Sequence, residues 1–475
     1  MPNRRESFLA AVLWLAALAV NLATATRSPT AWHDEVYFAD PAVHFAMGEG
    51  YRTTAWTLVG EDVRWPGLVP GYGYALGAWL TALGVGLWQV RALPIVLAAI
   101  AVGWVWWTAR WRGHAGSSGA GLVLLALLLC GAGTVFSYRS GRGDALAMLW
   151  WAAAYAAASR GDSRLSLIAL FVLGLVAPWC GLFLVPYVGI MGVILLCLGG
   201  RRWVGRVGAA YAGLAVGLAA LAGYYRMAGA WEAFVACSRE YQSGVLSPHF
   251  RLRLDGLWDA SLLLVLAALA WAALVRERGC AGRRIASVAL GAAPTTGLVL
   301  ALMGKFPAYY SWLVFFPSAV ALAHVIPCTA RPGARRVLVA LAGLAIVVGL
   351  PARIGACLME WGARDHGRVA AFVARHFGEA DRVACHPSAY FALRPVVGEV
   401  YPRATEVALE LPAEVRRTIT AACVRPEIDA GRLVEGFGGR WVRVADLDAV
   451  PGPSRPGRAE LYRLVAYRRV EETIP

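Results

Sequence analysis

From Phe8 to about Ala352 the chain is a succession of apolar runs, divided by short gaps that carry arginine. A bilayer's hydrocarbon layer is about 30 Å thick and a helix rises about 1.5 Å per residue, so a crossing takes about 20 apolar residues. Backbone groups find no water there, and each run must close its own hydrogen bonds as a helix. Runs such as Ala286–Met303 and Arg336–Leu350 are too continuous for the core of a soluble protein. Composition agrees, since only 16% of residues are charged against about 25% in soluble chains. The fold class read from this pattern is a polytopic α-helical membrane protein.

The net charge of +15 is placed as a membrane protein places it. Arg110/Arg112, Arg160/Arg164, Arg201/Arg202/Arg206, Arg276/Arg278/Arg283/Arg284 and Arg331/Arg335/Arg336 all fall in short gaps. That is the positive-inside pattern of cytoplasmic loops, and it excludes a nucleic-acid interface as the reason for the charge. Arg4 and Arg5 precede the first run, Phe8–Ala25, which puts the N-terminus in the cytoplasm. Ala23-Thr24-Ala25 loosely resembles a signal-peptidase site, but with so many later spans an uncleaved anchor is expected. Residues 26–66 then form the first external loop.

Counting back from the Arg331–Arg336 cluster gives spans near 91–109, 119–138, 144–159, 165–179, 181–198, 206–225, 256–275, 285–303, 309–327 and 336–352. A crossing at 67–87 would break the alternation, so that segment is read as re-entrant or interfacial, for roughly eleven transmembrane helices. Past Ala352 charge becomes frequent and turn signals appear. Strand-like runs (Arg382–Cys385, Arg440–Val444, Glu460–Tyr467) alternate there with helical patterns (Gly367–Phe377, Pro412–Thr420). The expected organisation is a membrane module over 1–352 and a small extracytoplasmic α/β domain over 353–475. The nine cysteines show no metal-ligand spacing, and Cys385 and Cys423 are the pair that export would allow to join.

Chemistry concentrates at the outer face. Trp32-His33-Asp34-Glu35 sets two carboxylates beside a histidine just outside the first span. These are candidates for a general base, or for a divalent-metal site drawn from His33, Asp34 and Glu35; acidic residues that merely complement a helix dipole would look the same. The sequence requires no cofactor and leaves a divalent metal open. Arg139 and Arg142, in Tyr138-Arg139-Ser140-Gly141-Arg142-Gly143-Asp144, are external by the alternation and oppose the positive-inside trend. Arg64 and Lys305, the single lysine of the chain, share that anomaly. Snorkelling explains one such residue, but four on one face with an acidic pair suit a lipid-linked phosphate. A phosphate leaves as a stabilised anion, so one carboxylate and several cations suffice to transfer a sugar from it.

Asp34-Glu35-Val36-Tyr37-Phe38-Ala39-Asp40-Pro41-Ala42-Val43-His44-Phe45, followed by Gly48-Glu49-Gly50, resembles the first-loop signature of GT-C membrane glycosyltransferases. The branch it most resembles holds the protein O-mannosyltransferases and the lipid A aminoarabinose transferase. Arg64-Trp65-Pro66-Gly67, Arg91-Ala92-Leu93-Pro94, Arg142-Gly143-Asp144-Ala145-Leu146 and Lys305–Pro317 follow in that family's order. The likeness covers about residues 8–352, and it departs where the family's proline pair is reduced to Pro66-Gly67. It implies inverting transfer of a hexosyl or pentosyl group from a polyprenyl-phosphate donor to a hydroxyl of a protein, lipid or glycan. The setting it implies is the outer face of a bacterial plasma membrane. By the resemblance Asp34 is the catalytic carboxylate with Glu35 in support, and Arg64, Arg142, Asp144 and Lys305 line the donor-phosphate site. A transporter or lipid flippase is the alternative class, disfavoured because the mid-span regions are nearly free of charge and show no paired halves.

Overall fold

The computed structural model describes residues 4–55, 70–112, 118–160, 163–246, 259–274, 308–402, 411–448 and 462–470. Its membrane part runs α1 (Arg4–Ala23), α2 (His33–Ala46), α3 (Pro70–Leu83), α4 (Leu87–Trp111), α5 (Ser118–Cys130), α6 (Ala132–Arg139), α7 (Asp144–Ala158) and α8 (Arg164–Cys180). It continues with α9 (Leu184–Gly199), α10 (Val204–Met227), α11 (Trp231–Leu246), α12 (Ala260–Leu274), α13 (Trp312–Cys328), α14 (Pro332–Val347) and α15 (Leu350–Met359). Among the described residues four helical stretches are long and apolar enough to cross a membrane: Arg4–Ala23, Leu87–Trp111, Gly200–Met227 and Pro332–Met359. Large apolar side chains stand exposed along them, among them Phe8, Leu15, Trp107 and Val216, as lipid-facing surfaces require. The chain is an integral membrane protein. The expected span at 285–303 lies outside the described residues.

Two expectations are adjusted by the fold. The run read as a single span over 119–138 is a broken pair, bent by 44° between Cys130 and Ala132. Polar side chains stabilise the break: Thr134 Oγ1 donates to the Leu128 carbonyl (2.8 Å), whose ladder partner Ala132 N donates instead to Ser261 Oγ (3.0 Å). Helix also persists past Ala352, to Met359 at the end of α15. In the segment 67–87, α3 has 14 residues. That is a length of about 21 Å, and it packs along α2.

Helices α8 and α10 pack closely because Gly213 and Gly217, four residues apart, bring the α10 backbone onto α8. A Cβ at Gly213 would stand 1.9 Å from the Phe171 carbonyl oxygen, and one at Gly217 2.2 Å from that of Leu175. Small residues at this spacing let membrane helices approach without a hydrophobic drive between them.

Beyond α15 the chain builds α16 (His366–His376), β1 (Arg382–Cys385), α17 (Tyr390–Leu393), β2 (Glu399–Tyr401), α18 (Ala413–Thr418), β3 (Ala421–Val424), α19 (Ala430–Phe437), β4 (Arg440–Leu447) and β5 (Leu464–Val470). The sheet order is β2-β1-β3-β5-β4, parallel over its first three strands and antiparallel where β5 meets β3 and β4. Asp365 and Asp429 cap α16 and α19 by accepting the amides of Gly367 and Arg432. Cys385 and Cys423 lie opposite each other on β1 and β3, both buried free thiols. One face of the sheet buries Val383, Cys385 and Cys423 in the same core as Val36, Ala39 and Val43 of α2. The sheet therefore sits directly on the first-loop helix.

Candidate active site

Helix α2 begins with Trp32 in an extended backbone conformation as its N-cap, and Asp34 and Glu35 occupy its first turn, where carboxylates complement the helix dipole. Adjacent helical residues point about 100° apart, so the two carboxylates face different surroundings. Glu35 is fully buried and makes a two-pronged pair with Arg91 of α4, Oε1–Nε at 2.6 Å and Oε2–Nη2 at 2.7 Å. The other donor of Arg91, Nη1, reaches the carbonyls of Ala25 (2.6 Å) and Pro29 (2.7 Å). Arg91 thus ties the start of α2 and the chain leading to it onto the membrane helices.

Asp34 faces the loop between α6 and α7. Arg142 Nη1 donates to Asp34 Oδ2 at 2.6 Å and Nε donates to Asp144 Oδ2 at 2.9 Å. Trp312 Nε1 donates to the other Asp144 oxygen at 3.3 Å. The guanidinium lies 3.6 Å from the Tyr309 ring centre and 4.4 Å from that of Phe38, so aromatic faces and two carboxylates hold the buried cation. Burial opposes its charge, but Asp144, followed by Tyr310, Tyr309 and Asp34, outweighs that and raises its pKa. Asp34 itself is one-fifth exposed, and its Oδ1 lies 3.2 Å from Nε2 of the exposed His33. The loop turns at Gly141, whose φ is +65°; a Cβ there would meet Glu35 Oε1 at 2.6 Å, so glycine is required on both counts.

Arg139, three residues from Arg142, faces inward. Its guanidinium donates to Asn21 Oδ1, to Thr24 Oγ1 (2.8 Å) and to the Ser28 carbonyl (2.7 Å), fastening α6 to the end of α1. Arg64 and Lys305 lie outside the described residues. The structure thus brings Asp34, Arg142 and Asp144 together and sets Glu35 and Arg139 into separate buried pairs. The metal set His33, Asp34 and Glu35 does not converge, because Glu35 is turned onto Arg91. Among the described residues no group of three or more His, Cys, Asp or Glu gathers as a metal site.

No protein-family model and no curated protein matches the chain. Solved structures do. ArnT from Cupriavidus metallidurans in the apo state aligns with a TM-score of 0.61 at 15% identity, over 97% of this chain and 98% of that one. The same enzyme bound to undecaprenyl phosphate aligns with a TM-score of 0.61 at 15% identity, over 98% of both chains. The chain has the fold of ArnT.

The sequence missed residues that complete this site. Arg91, Phe38, Tyr309 and Trp312 were visible only as members of longer motifs. An arginine one turn inside an apolar run, as Arg91 is, needs a buried partner. That requirement is the signal that leads to Glu35.

Proposed function

We propose that the chain is a glycosyltransferase that moves a sugar from a polyprenyl-phosphate carrier to a hydroxyl acceptor at the outer face of a bacterial plasma membrane. The observation that carries this reading is the Asp34–Arg142–Asp144 group at the N-terminus of an extramembranous helix on a GT-C fold. The donor class is supported by the ArnT structure that holds undecaprenyl phosphate. In this reading Arg142 fixes the Asp34 carboxylate through one oxygen, while the other takes the proton of the acceptor hydroxyl. That hydroxyl oxygen bonds to the anomeric carbon from the face opposite the phosphate. The carbon–phosphate-oxygen bond breaks, its electron pair leaves with the polyprenyl phosphate, and the anomeric centre inverts. Asp144 and the Tyr309 and Phe38 rings hold Arg142 for this work, and Glu35 with Arg91 holds the helix start. Cations at the leaving phosphate are assigned to Arg64 and Lys305; Arg139 is reassigned to fastening α6 against α1.

The same reading takes the sequence's division at residue 352, roughly eleven spans, a cytoplasmic N-terminus and an external sheet. The test is turnover of a panel of undecaprenyl-phosphate sugars by the purified protein in lipid nanodiscs, wild type against Asp34→Asn. Transfer should fall at least about 100-fold in the variant, with undecaprenyl phosphate still bound. Wild-type rates in Asp34→Asn would remove Asp34 as the base, and no binding of the carrier lipid by wild type would remove the donor class.

A further inference from the structure

The second half of the first-loop motif makes a connection that the proposed chemistry does not use. Asp40, fully buried on α2, accepts from Thr53 Oγ1 (2.7 Å), Thr54 N (2.7 Å) and Ala55 N (3.1 Å), and from the Tyr390 hydroxyl of the sheet unit. One turn on, His44 Nδ1 lies 2.5 Å from Glu49 Oε2. Arg394, just past α17 and also buried, donates through Nη2 to that same Glu49 oxygen, 3.3 Å from His44 Nδ1. Thr54 Oγ1 donates to the Val400 carbonyl of β2 at 2.6 Å. Burial would raise the Glu49 carboxyl, but His44 and Arg394 overturn that and hold it at about 2, so the network is charged at neutral pH.

These contacts come from one side of the molecule and end on the helix that carries Asp34. Asp34 and Asp40 are six residues apart in α2, about 9 Å of rise. A 14-residue helix does not hold itself in water. Its rotation is therefore set by what grips it, and a turn of one residue, about 100°, would take Asp34 off Arg142. Arg91 grips the helix start from the membrane side and Arg394 grips its far end from the sheet.

We propose that Arg394, acting through Glu49 and His44, is a positioning residue that fixes α2 so that Asp34 meets Arg142, which gives the sheet unit a role in catalysis. The proposal rests on the reading of Asp34 as the base. Because Arg394 touches neither Asp34 nor Arg142 in the described contacts, its loss should lower kcat and leave donor KM in place.

The experiment uses the full chain in nanodiscs, with Arg394→Met, Arg394→Lys, Glu49→Gln and the exposed-pair control Arg443→Gln, which breaks only the Arg443–Asp446 contact on β4. Two readouts are taken: steady-state transfer from an undecaprenyl-phosphate sugar, and amide hydrogen exchange of residues 33–46. Arg394→Met and Glu49→Gln should each drop kcat by about 10- to 100-fold with donor KM unchanged. They should speed exchange in α2 while β1, β3 and β5 stay protected. Arg394→Lys should recover part of kcat, and Arg443→Gln should match wild type. Unchanged α2 exchange, unchanged kcat, or loss of protection across the whole sheet together with α2 would each overturn the proposal. If wild type transfers no sugar, the proposed function fails, and the positioning role falls with it even where exchange shows that Arg394 holds α2.

Discussion

At the scale of single residues, neighbouring carboxylates have been given opposite tasks by helix phase. Asp34 and Glu35 differ by one position, yet one is partly exposed where it meets Arg142 and the other is in a sealed pair with Arg91. The two should therefore fail differently. Glu35→Gln leaves Arg91 charged and without its partner where no water reaches, a loss of about 3–5 kcal/mol. Thermal unfolding of the detergent-purified variant should shift down by several degrees or the protein should fail to accumulate. Asp34→Asn should unfold near the wild-type temperature, because Asp34 is the more exposed and Arg142 keeps Asp144. Equal stability of Glu35→Gln and wild type would mean that Arg91 does not need Glu35. The same scale separates two arginines. Arg139 and Arg142 belong to one short segment and look alike as external cations, but Arg139 ends α6 and reaches Asn21 and Thr24 at the end of α1, while Arg142 follows the turn at Gly141. No spacing rule in the sequence separates the two.

At the scale of elements, what was legible followed from periodicity, and what was not depended on contacts between distant segments. Strand β1 falls on the run Arg382–Cys385 and α16 nearly on Gly367–Phe377, because alternation and amphipathic spacing are local signals. The break between α5 and α6 was not legible, since apolar residues run through it and the polar contacts at it include one from Ser261 of the distant α12. The sheet unit also carries an acid sensitivity that composition hides. His366 is buried and near Arg91, and its pKa is pushed down to about 4; burial, Arg425 and His33 push His386 down to about 3. An unfolded histidine titrates near 6.5. Below that pH the unfolded chain takes up roughly two protons that the folded sheet refuses, so stability is full above about pH 7 and declines as pH falls toward 4. Glu49 has the opposite charge logic, with its contribution present above its ordinary value of 4.5 and lost as pH falls through about 2. The decline between pH 6.5 and 4.5 therefore belongs to the histidines. Unfolding followed by hydrogen exchange of β1 and β3 should show it, and His366→Gln with His386→Gln should flatten it. A slope unchanged in the double variant would place the acid sensitivity elsewhere.

At the scale of the whole molecule the question is which side of the membrane the site faces. The answer rests on how charge is sorted along the chain. Arginine stands in or beside the turns that follow α4, α7, α9 and α13, and the proposed alternation of spans puts those turns on one side. Arginine resists transfer across a membrane during insertion, and on that ground the proposed orientation puts that side in the cytoplasm. The Asp34–Arg142 site lies at the other ends of α1, α4 and α7, so the proposed orientation turns it outward. Arginines do occur there, but Arg91, Arg139, Arg142 and Arg394 each have carboxylate or carbonyl partners and are buried. They are therefore fixed by folding and carry little weight in the sorting of exposed loops. The prediction is read with a membrane-impermeant maleimide on right-side-out vesicles, using single cysteines placed at Arg443 on the exposed edge of β4 and at Arg335 in the turn before α14. Arg443→Cys should label from outside and Arg335→Cys only after the membrane is opened. Labelling of Arg335→Cys in sealed vesicles would invert the molecule, put Asp34 in the cytoplasm, and require an acceptor and a donor face opposite to those proposed.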